Sequence, residues 1–259
     1  MTNFEFLQKY LQLQNGIMYD QLVDLGFASI SFCQTDPSPF WNLALVDSLL
    51  NPNQLAQVEN SFSKLGRKPA IYFEGRKDLE PLINFLENKE FKEINEDSWM
   101  FYDNRPIDQT YFDSVKKVSS ETDLEIFLET FNTCYQKNDP QNPYGELGEY
   151  LKIAKSAWFK HASSGRLNYY LVYKENKPVA VSTLNNYFGI GYISNVGSLR
   201  SVRGEGFGKA ATLFCVQEST NAGNAVHCLA TEEGTYPNRF YSRIGFVTKF
   251  TAPLFIKAD

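Results

Sequence analysis

Cysteine and histidine are scarce in this chain, four of the first and two of the second among 259 residues. Cys33, Cys134, Cys215 and Cys228 stand far apart without CxxC spacing, and His161 and His227 do not complete a ligand set with them. That excludes a zinc site or a disulfide framework by pattern, so the thiols are expected to be reduced and buried and no metal is expected. Basic residues are not in excess either. The formal net charge is −5 and no basic run interrupts it, which leaves no field to draw in a phosphate backbone and argues against nucleic acid as a partner. Long apolar runs are missing too. The opening "MTNFEFLQKYLQLQNG" is polar every few residues and no later segment approaches the length of a membrane span, so no signal peptide, anchor or membrane partner is expected and the chain reads as cytoplasmic.

Apolar residues, by contrast, make up 43% of the chain and aromatics 15%, enough to offset chain entropy by burial alone. The length allows one large domain or two modest ones. Up to about Asn104, "FASISFCQ" and "KPAIYFEG" read as strands, while "NQLAQVENSFSKLG" and "DLEPLINFLENKEF" read as helices with apolar residues three or four apart. A second region opens near Pro106. Ser120 with Asp123 resembles a capping box before an amphipathic helix, and Leu147, Leu151, Ala154 and Trp158 share one face of a further helix. "LNYYLVY" and "PVAVSTL" flank the polar turn "KENK" as a hairpin, and "GIGYISNVG" continues the antiparallel run. Phe207, Ala210, Ala211 and Phe214 then fall at i, i+3, i+4 and i+7, a helix that leads to the short strand "AVHCLA". That crossover makes the two strands parallel. A last helix, "TYPNRFYSRIGF", precedes a closing strand near Val247–Phe255.

The glycines of "RGEGFGK" (203–209) sit at the strand-to-helix junction, where three phosphate-binding schemes compete. A P-loop, GxxxxGK[ST], fails at Arg203, where its first glycine belongs, and at Ala210, where it needs a hydroxyl. A dinucleotide fingerprint requires GxGxxG on the first strand of a doubly wound sheet, whereas this spacing is GxGxG after an antiparallel meander. The third scheme is a basic residue followed by glycines that let backbone N–H groups at a helix start converge on a diphosphate.

This third pattern resembles the acyl-CoA-binding signature R/Q-x-x-G-x-G/A of the GNAT superfamily of N-acyltransferases, which Arg203–Gly208 matches at each fixed position. "FYSRIGF" further on resembles the family's second signature, and the likeness covers about Tyr111 to Ile256. It implies an α/β fold with a mixed sheet whose central strands splay apart, and acetyl-CoA as co-substrate. Implied cofactor contacts are Val196, Gly197 and Ser198 along the splayed strand, Arg203, Gly204, Glu205, Gly206, Phe207, Gly208 and Lys209 around the diphosphate, and Asn238 on the last helix. Arg200 reaches for the 3′-phosphate or is a solvated surface arginine.

The resemblance places Tyr241 as the general acid and a main-chain N–H near Val196 at the oxyanion. Glu232, with Glu233, stands as general base through water or as a solvated acid just past a strand end. His227 is expected to be packed rather than catalytic. Tyr135, Trp158, Tyr187, Tyr192 and Asn195 are expected to line the cleft. The implied reaction moves an acetyl group from acetyl-CoA to a primary amine, on a small molecule or a peptide, by direct attack in a ternary complex. A non-catalytic acyl-CoA sensor and a tRNA-dependent aminoacyl transferase of related fold are the alternatives, and a homodimer is compatible with each.

The first half repeats the strand, helix, strand, helix, strand order of the same fold, yet its corresponding linker "LVDSLLNPNQLAQ" carries no glycine. The expected partition is therefore a degenerate GNAT-like domain over 1–105 and a catalytic one over 106–259, in tandem.

Overall fold

A computed structural model describes residues 1–142 and 144–258. The chain divides into two compact units, one of Met1–Trp99 with the chain from Lys249 onward, the other of Met100–Thr248.

The first unit contains α1 (Asn3–Gln14), β1 (Gln21–Asp24), β2 (Ala28–Phe32), β3 (Ala44–Val46), α2 (Pro52–Lys64), β4 (Ala70–Tyr72), α3 (Glu80–Glu87) and most of β5 (Phe91–Tyr102). β1, β2 and β3 pair antiparallel in order, and β3 pairs parallel with β4. Leu55, Val58 and Phe62 of α2 and Leu82 and Leu86 of α3 are buried in one core with Ile30, Ile71 and Phe73. Each such side chain contributes roughly 1.5–3 kcal/mol by leaving water. The start of α2 is closed on itself. Asn51 Oδ1 accepts from the Gln54 amide at 2.9 Å, Gln54 Oε1 accepts from the Asn51 amide at 2.9 Å, and Pro52 brings no N–H.

The second unit contains β6 (Val115–Lys117), α4 (Glu121–Cys134), α5 (Tyr150–His161), β7 (Leu167–Lys174), β8 (Lys177–Tyr187), β9 (Ile190–Ser198), α6 (Phe207–Asn221), β10 (Val226–Glu232), α7 (Tyr236–Ile244) and the start of β11 (Phe246–Lys257). β6, β7, β8 and β9 pair antiparallel in order, and β9 pairs parallel with β10. Ser120 caps α4 in the expected box with Asp123. Glu175 and Asn176, at φ 49° and 63°, make the two-residue turn between β7 and β8, the mirror-image turn that suits strand twist. α6 lies against β9 where a Cβ on Gly191 would come within 1.8 Å of Ser219 Oγ, so only glycine permits that approach. Met100, Leu184, Ile193, Leu213, Leu229, Tyr241 and Phe246 are buried in one core beneath it.

Several expectations need correction. The expected helix over "DLEPLINFLENKEF" ends at Glu87, because Glu90 turns the chain at φ 63° and Phe91 already belongs to β5. In α5 the buried face is Ile153, Ala154 and Ala157, and Leu147 precedes the helix. α1 was not expected; the polar spacing that argues against a signal peptide hides a helix capped by Thr2 and Glu5 with Phe6, Leu7 and Leu11 buried. The two compact units meet at Trp99/Met100 and again at Thr248/Lys249. Pro106 punctuates a loop, whereas the change of core occurs earlier, at Met100, whose side chain packs with Leu229 and Phe246.

Candidate functional site

β9 and β10 stop pairing early. Their register runs Ile190 to Val226, Gly191 to His227 and Tyr192 to Cys228 and no further, although β9 continues to Ser198 and β10 to Glu232. The two strand ends beyond that point therefore carry main-chain groups that neither strand gives to the other. A register shift between β8 and β9 beyond Thr183 accompanies the split, and within it Asn195 sits at φ 53°. Two hydrogen bonds hold that left-handed conformation: Tyr150 Oη donates to Asn195 Oδ1 at 2.8 Å, and Asn195 Nδ2 donates to Thr183 Oγ1 at 3.1 Å.

At the end of the split the chain enters α6 through Gly204 (φ 83°) and Gly206 (φ 100°), conformations that side chains resist. No side chain caps α6 and no acidic residue stands in its first turn. The first helical amide to find a carbonyl is that of Ala210, on Gly206, so the amides of Phe207, Gly208 and Lys209 end the helix unpaired. Free N–H groups at the positive end of a helix dipole form an anion site. Gly208 adds open space beside these amides. Its φ lies outside the left-handed region, and a Cβ there would meet Ser198 Oγ at 3.7 Å and Phe240 Cζ at 3.8 Å, both ordinary contacts. No protein neighbour requires glycine at 208, so the space beside it is a cradle that a Cβ would fill. These features fit the diphosphate and pantetheine arm of coenzyme A.

Gly197 has a different reason. Its Cβ would stand 2.6 Å from Cys134 Cβ and 3.1 Å from Tyr135 Cε2, so the end of α4 needs the glycine. Gly197→Ala should overpack this contact and cost about 1–3 kcal/mol of stability, read as a lower urea midpoint at unchanged m-value; an unchanged midpoint would show that α4 yields freely.

Three of the cations near the turn are engaged. Arg203 makes a two-pronged ion pair with Asp139, and its guanidinium holds that carboxyl well below the usual range. Lys209 Nζ lies 2.7 Å from Asp108, and Lys174 Nζ lies 2.6 Å from Glu205. Arg200, held only through Nε by Asp139 at 3.3 Å, is the more exposed arginine at the turn.

Tyr241 on α7 is buried beside Phe240 and Phe246. Its hydroxyl makes no hydrogen bond among the described residues, and burial pushes the phenol well up from its ordinary value, with Tyr144 and Cys215 adding to the shift. Val196 packs against the same core as Tyr241. The Val196 carbonyl already accepts from Tyr135 Oη at 2.9 Å. Gly245 ends α7 at φ 114°, where a Cβ would meet Tyr102 Cε2 at 2.8 Å; this accounts for the glycine of "RIGF".

Glu232 is the last residue of β10, not a residue past it. Its carboxylate makes no hydrogen bond or ion pair among the described residues, while its amide donates to Tyr144 Oη at 3.4 Å. Asn238 is buried with its amide nitrogen 3.4 Å from Thr231 Oγ1 and 3.5 Å from Glu233 Oε2. His227 is buried on Ser219 Oγ at 2.7 Å, as expected of a packed histidine, and burial lowers its pKa.

Of the expected lining residues, Tyr135 and Asn195 are at the split. Tyr192 pairs with Cys228 just before it. Tyr187 does not belong to the site. It pairs with Ile190 at the opposite end of β9, roughly 25 Å from Ser198 at strand rise, and stacks under Arg166. Trp158 packs edge-on to Phe159, and its buried Nε1 has no hydrogen-bond partner among the described residues. Sequence reasoning missed Asp139, Tyr144 and Tyr150, which lie in or beside a polar loop. Their one signal was an aspartate and two tyrosines close to a helix pair that the resemblance already placed at the cleft.

Among the described residues no group of three or more His, Cys, Asp or Glu stands ready for a metal ion, and no helix is long and apolar enough to cross a membrane. No family model matches the chain, and no curated protein matches it by sequence. Solved structures do match. A GCN5-related N-acetyltransferase from Kribbella flavida has TM-score 0.68 at 18% identity, over 98% of this chain and 95% of that one. A conserved protein of unknown function from Staphylococcus epidermidis has TM-score 0.65 at 14% identity, over 93% and 94%. A tandem GNAT protein from the clavulanic acid biosynthesis pathway has TM-score 0.57 at 11% identity, over 90% and 79%.

Proposed function

For a chain with the fold of the GCN5-related N-acetyltransferases, we propose the activity of an acetyl-CoA-dependent N-acetyltransferase acting on a primary amine. The observation that carries this reading is the uncapped, glycine-opened start of α6 beside the split of β9 and β10, with Gly208 left bare by its own protein neighbours.

Bound acetyl-CoA supplies an acyl group activated as a thioester, which the amine takes by direct attack in a ternary complex. The chain then needs no nucleophile of its own. The amides of Phe207, Gly208 and Lys209 hold the diphosphate, and the loose edge of β9 through Ser198 receives the pantetheine as an added strand would be received. A main-chain N–H near Val196 stabilises charge on the carbonyl oxygen. The Tyr241 phenol gives its hydrogen bond, then its proton, to the departing sulfur. Glu232, unpaired at the end of β10, takes the amine's proton through water. Holding both reactants in one split is itself a large part of the acceleration.

The N-terminal part of the chain, over about 1–105, is in this reading a degenerate copy. Its α2 follows β3 as α6 follows β9 in the second unit, but Pro52 brings no N–H and Asn51 Oδ1 takes the Gln54 amide, which among the described residues leaves the Asn53 amide as the one free donor there for a phosphate. With Arg203 and Lys209 beside the α6 turn paired to carboxylates and the net charge at −5, the substrate in this reading is a small-molecule or peptide amine rather than a nucleic acid.

The test is incubation with acetyl-CoA and a broad amine panel while a thiol reagent follows CoA release. Amine-dependent release supports the reading. Thermal stabilisation by acetyl-CoA with no release from any amine marks a binder, and no stabilisation at all removes the cofactor assignment.

A further inference from the structure

Asp139 is nearly sealed, with its side chain 1% exposed, and it takes four donors. Arg203 Nη1 and Nη2 reach its two oxygens at 2.8 and 2.6 Å, Arg200 Nε lies at 3.3 Å, and the Gln141 amide at 3.0 Å. Two guanidiniums on one carboxylate leave one positive charge over. That charge is not on the accessible face of Arg203, which spends both terminal nitrogens on Asp139. It lies with Arg200, 56% exposed, whose Nη1 and Nη2 have no partner among the described residues.

Separating Arg203 from Asp139 would strand a desolvated carboxylate, a far larger penalty than loss of an exposed pair. The pair is therefore a fixture, and the arginine that leads the glycine motif is not a phosphate ligand through its side chain. It works in the other direction. Three tyrosines reach the two sides of the split: Tyr135 Oη is on the Val196 carbonyl, Tyr144 Oη takes the Glu232 amide, and Tyr150 Oη is on Asn195. Asp139 ties the segment that carries them to the anion turn.

We propose that Asp139 and Arg203 form a positioning pair that fixes Tyr135, Tyr144 and Tyr150 on the amine side of the split, while Arg200 supplies the cation that meets the phosphates of the cofactor. This rests on the acetyl-CoA reading and assigns roles that the sequence motif does not. Three variants of the full chain test it: Arg200→Gln, Arg203→Gln and Asp139→Asn, each titrated calorimetrically with CoA and with 3′-dephospho-CoA. Steady-state KM values for acetyl-CoA and for the best amine of the panel complete the comparison.

Arg200→Gln should weaken CoA about tenfold, as loss of a charged hydrogen bond does. Arg203→Gln and Asp139→Asn should leave CoA affinity within about twofold and raise the amine KM about tenfold, a split between substrates that a purely structural role would not produce. They should also speed proteolysis within Gln136–Glu149. Loss of CoA affinity in Arg203→Gln equal to that in Arg200→Gln, or tighter CoA binding in Asp139→Asn, overturns the proposal while the acetyltransferase reading stands. Absence of CoA binding by the unmutated chain defeats both. Arg200 is exposed, so its variant folds and keeps the proposal open to refutation even if Asp139→Asn does not.

Discussion

Tyr241→Phe should lower kcat about a hundredfold while leaving the Kd for CoA unchanged, at the low end of what a general acid contributes. The low end is expected because burial holds the Tyr241 phenol above its ordinary value, whereas a thiol loses its proton near about 8.5. Complete transfer is thus uphill at the start. In the proposed reaction the phenol would help first by hydrogen-bonding the sulfur as charge builds, and the proton would follow.

The raised pKa also fixes the sign of the pH dependence. The folded chain favours the protonated phenol, so the stabilisation it brings is present below the unfolded value of about 10 and is lost as pH rises beyond it. Tyr241 then keeps its proton across the working range, and kcat should show no alkaline decline from this group below about pH 10. Stopped-flow or steady-state profiles from pH 6 to pH 10 check it. An alkaline limb with a midpoint near pH 8 that vanishes in Tyr241→Phe would mean that the phenol ionises far more readily than its surroundings allow.

Gly208→Ala is expected to do two opposite things. A Cβ at 208 meets nothing closer than 3.7 Å in the protein, and alanine is the better helix residue by about 1 kcal/mol. The Tm should therefore hold or rise slightly. The same methyl enters the space beside the free amides of Phe207, Gly208 and Lys209, so the Kd for CoA should rise at least about tenfold, as expected where backbone must approach a phosphate closely. Calorimetry and a thermal melt on one preparation read both effects. A stable variant with unchanged CoA affinity would show that the cofactor lies elsewhere, whereas a drop in Tm would show a packing role that the distances deny.

Much of the second unit was legible because its signals are local. The capping box of Ser120, the two-residue turn at Glu175 and Asn176, the helical spacing from Phe207 and the parallel return at Val226 each follow from a few neighbouring residues. The glycines of the α6 turn belong to the same class, since a left-handed φ at Gly204 and Gly206 is a property of the chain itself. α1 escaped because its apolar residues serve one narrow face among polar ones, and nothing in the stretch says what that face will meet. The aromatic lining was read as a group, yet Tyr135 and Tyr187 end up at opposite ends of β9. Residue type alone does not say where along a strand a ring will sit.

The sequence by itself determined the order of elements in the second unit, the glycine-opened start of α6 and the tyrosine at the head of "YSRIGF", because glycine conformation, helix periodicity and hydrogen-bond capping act over a few residues. Only the tertiary structure decided that β9 and β10 part after Tyr192 and Cys228, that Gly197 serves Cys134 while Gly208 serves no protein atom, and that Arg203 is held by Asp139, distant in sequence. Those outcomes depend on which surfaces meet across the fold, and a charge or a bare glycine acquires its role from the partner that packing brings to it or withholds from it.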